Sequence, residues 1–177
     1  DNVLRETFKN NEIEIISIAQ DTEGAICSCL LAQDFINNDN PLVIFTPDCY
    51  FEPAFDPRSI DEKYDGMVAV FESNNSSHSY VVVDAEGYVT ESAEKEVISS
   101  NAVGGLYYFR RGSDFVKNAH TMVLSNQKTK GEYYICPVYN LLIKDGLKIG
   151  IDKNSKHVVL GTPAGLEQYL LEVNNAR

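Results

Sequence analysis

Positive charge is scarce in this chain. Fifteen Lys and Arg stand against 26 Asp and Glu, giving a net charge of -11 over 177 residues. That balance argues against general nucleic-acid binding, which needs a basic stripe. An acidic protein can still take a phosphorylated small molecule where a metal ion and local Lys or Arg offset the repulsion. Long apolar runs are missing too. None approaches the roughly 18 to 20 residues that cross a bilayer, and no basic segment followed by an apolar one opens the sequence as a secretory signal would. Cysteine is sparse: Cys27, Cys29, Cys49 and Cys136 include no pair with a two-residue spacer, and no His lies near a Cys in sequence. Zinc and thioredoxin-like sites need such spacings, so the four read as buried free thiols of a cytoplasmic protein. A glycine-rich phosphate loop is also lacking. Gly104-Gly105 is a pair inside a strand, not G-x-G-x-x-G.

What remains is an ordinary globular composition, 44% hydrophobic and 23% charged, without repeats, low-complexity tract or linker. The length predicts one domain over residues 1–177. Residues 12–19 alternate and carry four Ile, which predicts a strand. Residues 25–36 shift to a helical apolar period, and Leu42, Val43, Ile44 and Phe45 form a continuous apolar run. Such a run predicts a strand buried on both faces in the middle of a parallel-type sheet. Strand, helix, strand in about 35 residues is the βαβ pattern. Further strands are expected at 66–73, on both sides of a hairpin turn at 84–87, at 104–109, 146–152 and 156–161. Helices are expected at 114–124 with Ser113 as cap, at 132–144, and after Thr162-Pro163 with Leu166, Tyr169 and Leu170 facing inward. The "NNSSHS" stretch (74–79) is expected to be an unpacked polar loop. Asp48 follows the 42–45 strand. Pro47-Asp48 is common turn chemistry, and it also lies where open α/β sheets bind ligands, beyond a strand's carboxyl end.

Four segments, in order, resemble sugar-1-phosphate nucleotidyltransferases. "TEGAICSCLLA" (22–32) is similar to their base-binding turn. "LVIFTPDCYF" (42–51) resembles the strand ending in Gly-Asp that supplies a magnesium ligand. "VTESAEKEVISSNAVGGLYYF" (89–109) resembles their Glu-Lys-Pro segment followed by Asn and an aromatic strand. "LGTPAGLEQYL" (160–170) resembles the closing Gly-Thr-Pro helix. The likeness is nearest to a capsule and lipopolysaccharide branch, glycosyltransferase family 2-like, which shares the "GEYYICPVYN" type of helix. It implies a three-layer α/β/α fold with a mixed, mostly parallel sheet of the GT-A kind, built on a Rossmann-like half. It also implies a reaction in which a sugar-1-phosphate attacks the α-phosphorus of a nucleoside triphosphate, with Mg²⁺ as cofactor and room for a homo-oligomer.

By the same resemblance, Asp48 is the Mg²⁺ ligand and Lys95 meets the sugar phosphate. Glu94 hydrogen-bonds sugar hydroxyls, Gly24 with Glu23 forms the base-binding turn, Asn101 and Gly105 floor the sugar pocket, and Tyr80 beside Ser79 is a looser sugar contact. Three local departures stand out. Thr46-Pro47 replaces the glycine before the acid, Glu96 replaces the proline after Lys95, and 157–160 lacks the second metal-binding Asp. The family's opening strand and glycine-rich loop with its Arg and Lys have no counterpart either. The expectation is therefore an N-terminally incomplete domain, the C-terminal part of a longer enzyme or a trimmed piece, that turns over little alone. Two other classes remain open. A GT-A glycosyltransferase would want a second acid near Asp48, and Glu52 is spaced poorly for it. A non-catalytic nucleotide-sugar-binding domain would need no triphosphate loop. The plain readings stand beside these: Glu94-Lys95 as a solvated pair, Asn101 as a turn cap, Gly104-Gly105 as a bulge, and three scattered His of which His78 alone invites attention.

Overall fold

The computed structural model describes residues 2–52, 55–153 and 156–175. Its center is a six-stranded sheet, ordered β5(Val89–Glu94), β4(Ser79–Val83), β6(Asn101–Phe109), β3(Gly66–Glu72) and β7(Ile149–Asp152), with β1(Leu42–Phe45) also on β6. β3 and β7 run parallel, and the other pairings are antiparallel. The α/β class and the mixed sheet match expectation, but the sheet is less parallel than the sequence suggests. The reason lies upstream. Residues 12–18 carry no strand, so no βαβ unit forms there. β1 pairs only with β6 among the described residues, and its burial alternates. Leu42 and Ile44 turn to the core, while Val43 and Phe45 are 39% and 45% exposed. The four-residue apolar run thus makes an edge strand rather than a central one.

One face of the sheet carries α2(Ala25–Leu30), α3(Gln33–Ile36), α4(Gly112–Leu124) and α5(Val138–Lys144). α4 buries Phe115, Val116, Ala119 and Met122, a helical spacing that places them on one stripe. Tyr139 of α5 is fully buried; its hydroxyl donates to Tyr108 O at 2.9 Å, and its ring stacks on Phe109. The side chain of Asn140 clasps both backbone groups of Ser92, pinning α5 to β5. The other face is covered by a ribbon of β2(Cys49–Glu52) and β8(Lys156–Val159), with α6(Pro163–Asn175) against β8. The third layer is therefore a ribbon with one helix.

Several local expectations change. The 25–36 helix breaks into α2 and α3. The segment 132–137 is extended, with helix only from Val138 after Pro137. Ser113 lies inside α4, which starts at Gly112 without a side-chain cap. Thr162 does cap α6, accepting from Gly165 N, but Leu166 and Leu170 are 45% and 51% exposed, and of the three only Tyr169 is half-buried, against Tyr50. All four cysteines are free as expected, though only Cys136 is buried and the others are half-buried. Burial pushes the Cys29 thiol up to about 11. Among the described residues no helix is long and apolar enough to cross a membrane.

Candidate functional site

β6 is shared along one edge by two strands. β1 occupies it opposite Leu106 to Phe109, and β4 meets it at Ala102. Between these contacts the edge is open, and β6 bulges there: Val68 pairs with Tyr107 and Val70 with Val103, so Gly104, Gly105 and Leu106 stand opposite Ala69 alone. Gly105 has φ +83°, and a Cβ there would collide with the Thr46 hydroxyl. Only glycine takes this backbone without strain. Gly105 O accepts from both Thr46 N (2.9 Å) and Thr46 Oγ1 (3.2 Å), fastening the end of β1 to the bulge. The split produces a cleft of about 440 Å³.

Asp48 reaches this cleft from the link between β1 and β2, and Lys95 reaches it from the end of β5. These two residues, far apart in sequence, therefore line one cavity. Lys95 adopts φ +59°, unusual for a residue with a side chain. Its backbone N–H donates to His78 O at 3.0 Å, and its ammonium donates to Ser77 O. The ammonium also lies 3.3 Å from Glu94 Oε1 and 5.3 Å from the center of the Tyr134 ring. The Glu94 carboxylate is only 3% exposed and accepts from the Ser79 hydroxyl. Glu94 and Lys95 are thus not a solvated pair. A buried carboxylate keeps its charge at acceptable cost only when paired and hydrogen-bonded, as here.

Asp48 is exposed, and its backbone carbonyl accepts from Leu160 N at 2.7 Å. Gly161 packs so closely on its carboxylate that a Cβ would clash, which ties the loop before α6 to the cleft. Among the described residues no group of three or more His, Cys, Asp or Glu could hold a metal. One exposed carboxylate near the Thr46 hydroxyl cannot make an all-protein cage. It does suit a hard cation that arrives with phosphate oxygens and keeps several waters, the habit of Mg²⁺.

The cleft gathers Asp48, Lys95, Glu94 and Gly105. Gly24 lines an adjoining open hollow of about 630 Å³ with Thr22 and Ser28, while its neighbor Ala25 lines the cleft. Gly24 is also required structurally: with φ +124° a Cβ would sit 2.6 Å from the Tyr133 backbone. Three other expected residues are not brought to the cleft. Glu23 is exposed and pairs with Lys128 at 3.1 Å. Tyr80 is fully buried, its hydroxyl donating to Asn75 O at 2.8 Å; strand alternation turns Ser79 to the cleft instead. Asn101 faces a separate hollow with Glu72, Ser100 and Lys153. Sequence reasoning missed Thr46, Tyr107 and Tyr134, and it expected the 74–79 loop to be unpacked. That loop lines the cleft with Ser77 and His78, and the His78 ring meets Phe71 edge-on at 5.1 Å. The signal for Ser79 was available, since a buried aromatic at one strand position aims its neighbor at the opposite face.

No sequence-family model and no curated protein sequence matches this chain. Solved structures do. The nucleoside-diphosphate-sugar pyrophosphorylase of Vibrio cholerae RC9 superposes with a TM-score of 0.83 at 24% identity, over 96% of this chain and 75% of that one. A protein described as a glucose-1-phosphate thymidylyltransferase from Bacillus anthracis, solved with sucrose, gives 0.63 at 22% identity, over 84% and 61%. The inositol-1-phosphate CTP transferase of T. maritima gives 0.60 at 15%, over 85% and 60%. The chain thus spans three quarters of the first and about three fifths of the other two. At these identities the likeness is one of fold, and the fold of this chain is the one these three structures share.

Proposed function

We propose that this chain belongs to a sugar-phosphate nucleotidyltransferase, which passes a nucleotidyl group from a nucleoside triphosphate to a sugar-1-phosphate, in capsule or lipopolysaccharide synthesis. The observation that carries the reading is that Asp48 and Lys95 line one cleft from different strands. In the reaction an oxygen of the sugar phosphate attacks the α-phosphorus. The bond from that phosphorus to the bridging oxygen breaks, and pyrophosphate leaves with the electron pair. The protein's task in such a transfer is positioning and charge neutralization. Lys95 would exchange part of its contact with Glu94 and Ser77 for the sugar phosphate. Glu94, held by Ser79, would accept from sugar hydroxyls. The base would lie in the hollow beside Gly24. Asp48 would hold Mg²⁺, which supplies charge neutralization at the phosphates when bound.

Glu52 speaks against the glycosyltransferase alternative. It sits on β2, exposed, and is not part of the cleft wall, so no second acid joins Asp48 from that strand. Pyrophosphate release from a panel of sugar-1-phosphates with each nucleoside triphosphate and Mg²⁺ tests the proposal. Slow release that requires both substrates is expected of this chain alone. Sugar transfer from a nucleotide sugar to an acceptor, or binding of nucleotide sugar without any release, would replace it with one of the two alternatives.

A further inference from the structure

The charge inventory of the cleft is unfavorable to a phosphate. Its walls carry two carboxylates, Asp48 and Glu94, and one ammonium, Lys95, already committed to Glu94 at 3.3 Å. A phosphomonoester brings up to two negative charges. Of the remaining wall residues, only His78 can gain a positive charge. We propose that His78 is an anion-contacting residue of this cleft, its imidazole binding the substrate phosphate together with Lys95. This rests on the reading of the cleft as a phosphate site, though not on nucleotidyl transfer itself.

The geometry supports the assignment. His78 ends the loop that lines the cleft with Ser77, and its carbonyl accepts from Lys95 N, so the two residues are fixed to one another through the backbone. The loop carbonyl of Ser77 accepts from the Lys95 ammonium. The edge-on contact with Phe71 at 5.1 Å restricts the ring's orientation. The charged and titratable groups that line the cleft with it are Glu94 and Lys95 at the end of β5, Tyr107 from β6, Tyr134 from the extended segment before α5, and Asp48 and Cys49 beyond the end of β1. Burial and the Lys95 charge hold the free imidazole below its ordinary value of 6.5, so without ligand it is neutral at neutral pH. An anion between the two cations would reverse the Lys95 effect. Proton uptake and anion binding are then linked, and each strengthens the other.

The test is an NMR titration of the imidazole resonances of the intact chain from pH 5 to 8, with the Lys95 side-chain resonances followed alongside and assigned by Lys95→Met. It is run in chloride and in sulfate at equal ionic strength, sulfate serving as a dianion that does not titrate in this range. His78→Gln assigns the signal, and His120, which bonds Gln33 at 2.9 Å outside the cleft, is the internal control. We expect sulfate to raise the His78 midpoint by about one unit, a roughly tenfold tighter hold on the anion by the charged ring, with His120 unmoved. Glucose-1-phosphate should compete with sulfate for the same shift. If sulfate perturbs Lys95 while His78 keeps its midpoint, the His78 assignment is overturned and the phosphate cleft stands. If neither residue responds to either anion, both fall. A shift without any pyrophosphate release in the turnover assay would support His78 while removing the transfer reaction.

Discussion

At the scale of single residues, the site depends on a few backbone conformations that the sequence discloses only indirectly. Gly105 is the clearest. Its positive φ and the Thr46 hydroxyl beside it leave no room for a side chain. Gly105→Ala is expected to destabilize the fold by about 1–3 kcal/mol, read as a shift in the urea midpoint at unchanged slope. Lys95→Met removes the second of the two causes that depress His78, burial being the first. The His78 midpoint should therefore rise toward 6.5 in an NMR titration; a midpoint that stays or falls would show that Lys95 does not act on it. The sign for stability follows from the depressed value. Above 6.5 the ring is neutral in both folded and unfolded chains and contributes no pH dependence. As pH falls below that value the unfolded chain takes up the proton first, and stability is lost until the folded-state midpoint is passed. Thermal melts of His78→Gln should lack that part of the acid-side loss.

At the scale of elements, α5 and the split edge of β6 position the cleft. Asn140 joins α5 to β5 by two hydrogen bonds to Ser92, two residues before Glu94. Asn140→Ala should cost roughly 1–2 kcal/mol, measured by denaturant unfolding, and should loosen the Glu94-Lys95 end of β5. Faster amide exchange at Glu94 and Lys95 than at Val81 would mark that effect. The elements were legible where local chemistry decides them. The 66–73 strand, the 80–91 hairpin with its Asp84 turn and the Thr162-Pro163 start of α6 all follow from turn, cap and alternation signals, whereas Ser92–Glu94, expected as loop, complete β5. The misreadings fall where a long-range partner decides. Residues 12–18 have a strand's composition but no strand. The apolar run of β1 was read as central because its sequence cannot tell which neighbor it pairs with. Pro137 sets the start of α5, although the apolar pattern begins five residues earlier.

At the scale of the whole molecule, the candidate site is a gap between two strands that share a third. No single segment encodes it. Asp48, Lys95, Glu94 and Gly105 were legible because each sits in a motif with a recognizable neighborhood, and the fold brings these four together. Tyr80 and Asn101 come from the same motif neighborhoods but lie elsewhere: strand alternation turns Tyr80 to the face opposite Ser79, and Asn101 lines its own hollow with Glu72 and Lys153. Thr46, Tyr107 and Tyr134 were hidden because their role exists only after folding. The net charge of -11 also has a consequence at this scale. The protein as a whole repels anionic ligands, so their association should become faster as salt rises toward physiological strength, the reverse of a basic binding surface. Stopped-flow measurement of on-rates against ionic strength tests this; rates that fall with salt would locate a dominant positive field that the charge inventory does not contain.

The most direct test of the account is a double-mutant cycle on Asp48 and Lys95. Binding of the tightest member of a panel of nucleoside diphosphate sugars, with Mg²⁺, is measured by calorimetry for the parent chain, Asp48→Asn, Lys95→Met and the double variant. If both side chains converge on one anionic ligand, the two losses should not add, and a coupling of about 1 kcal/mol or more is predicted. Losses that simply sum, or a panel with no binding member, would contradict it.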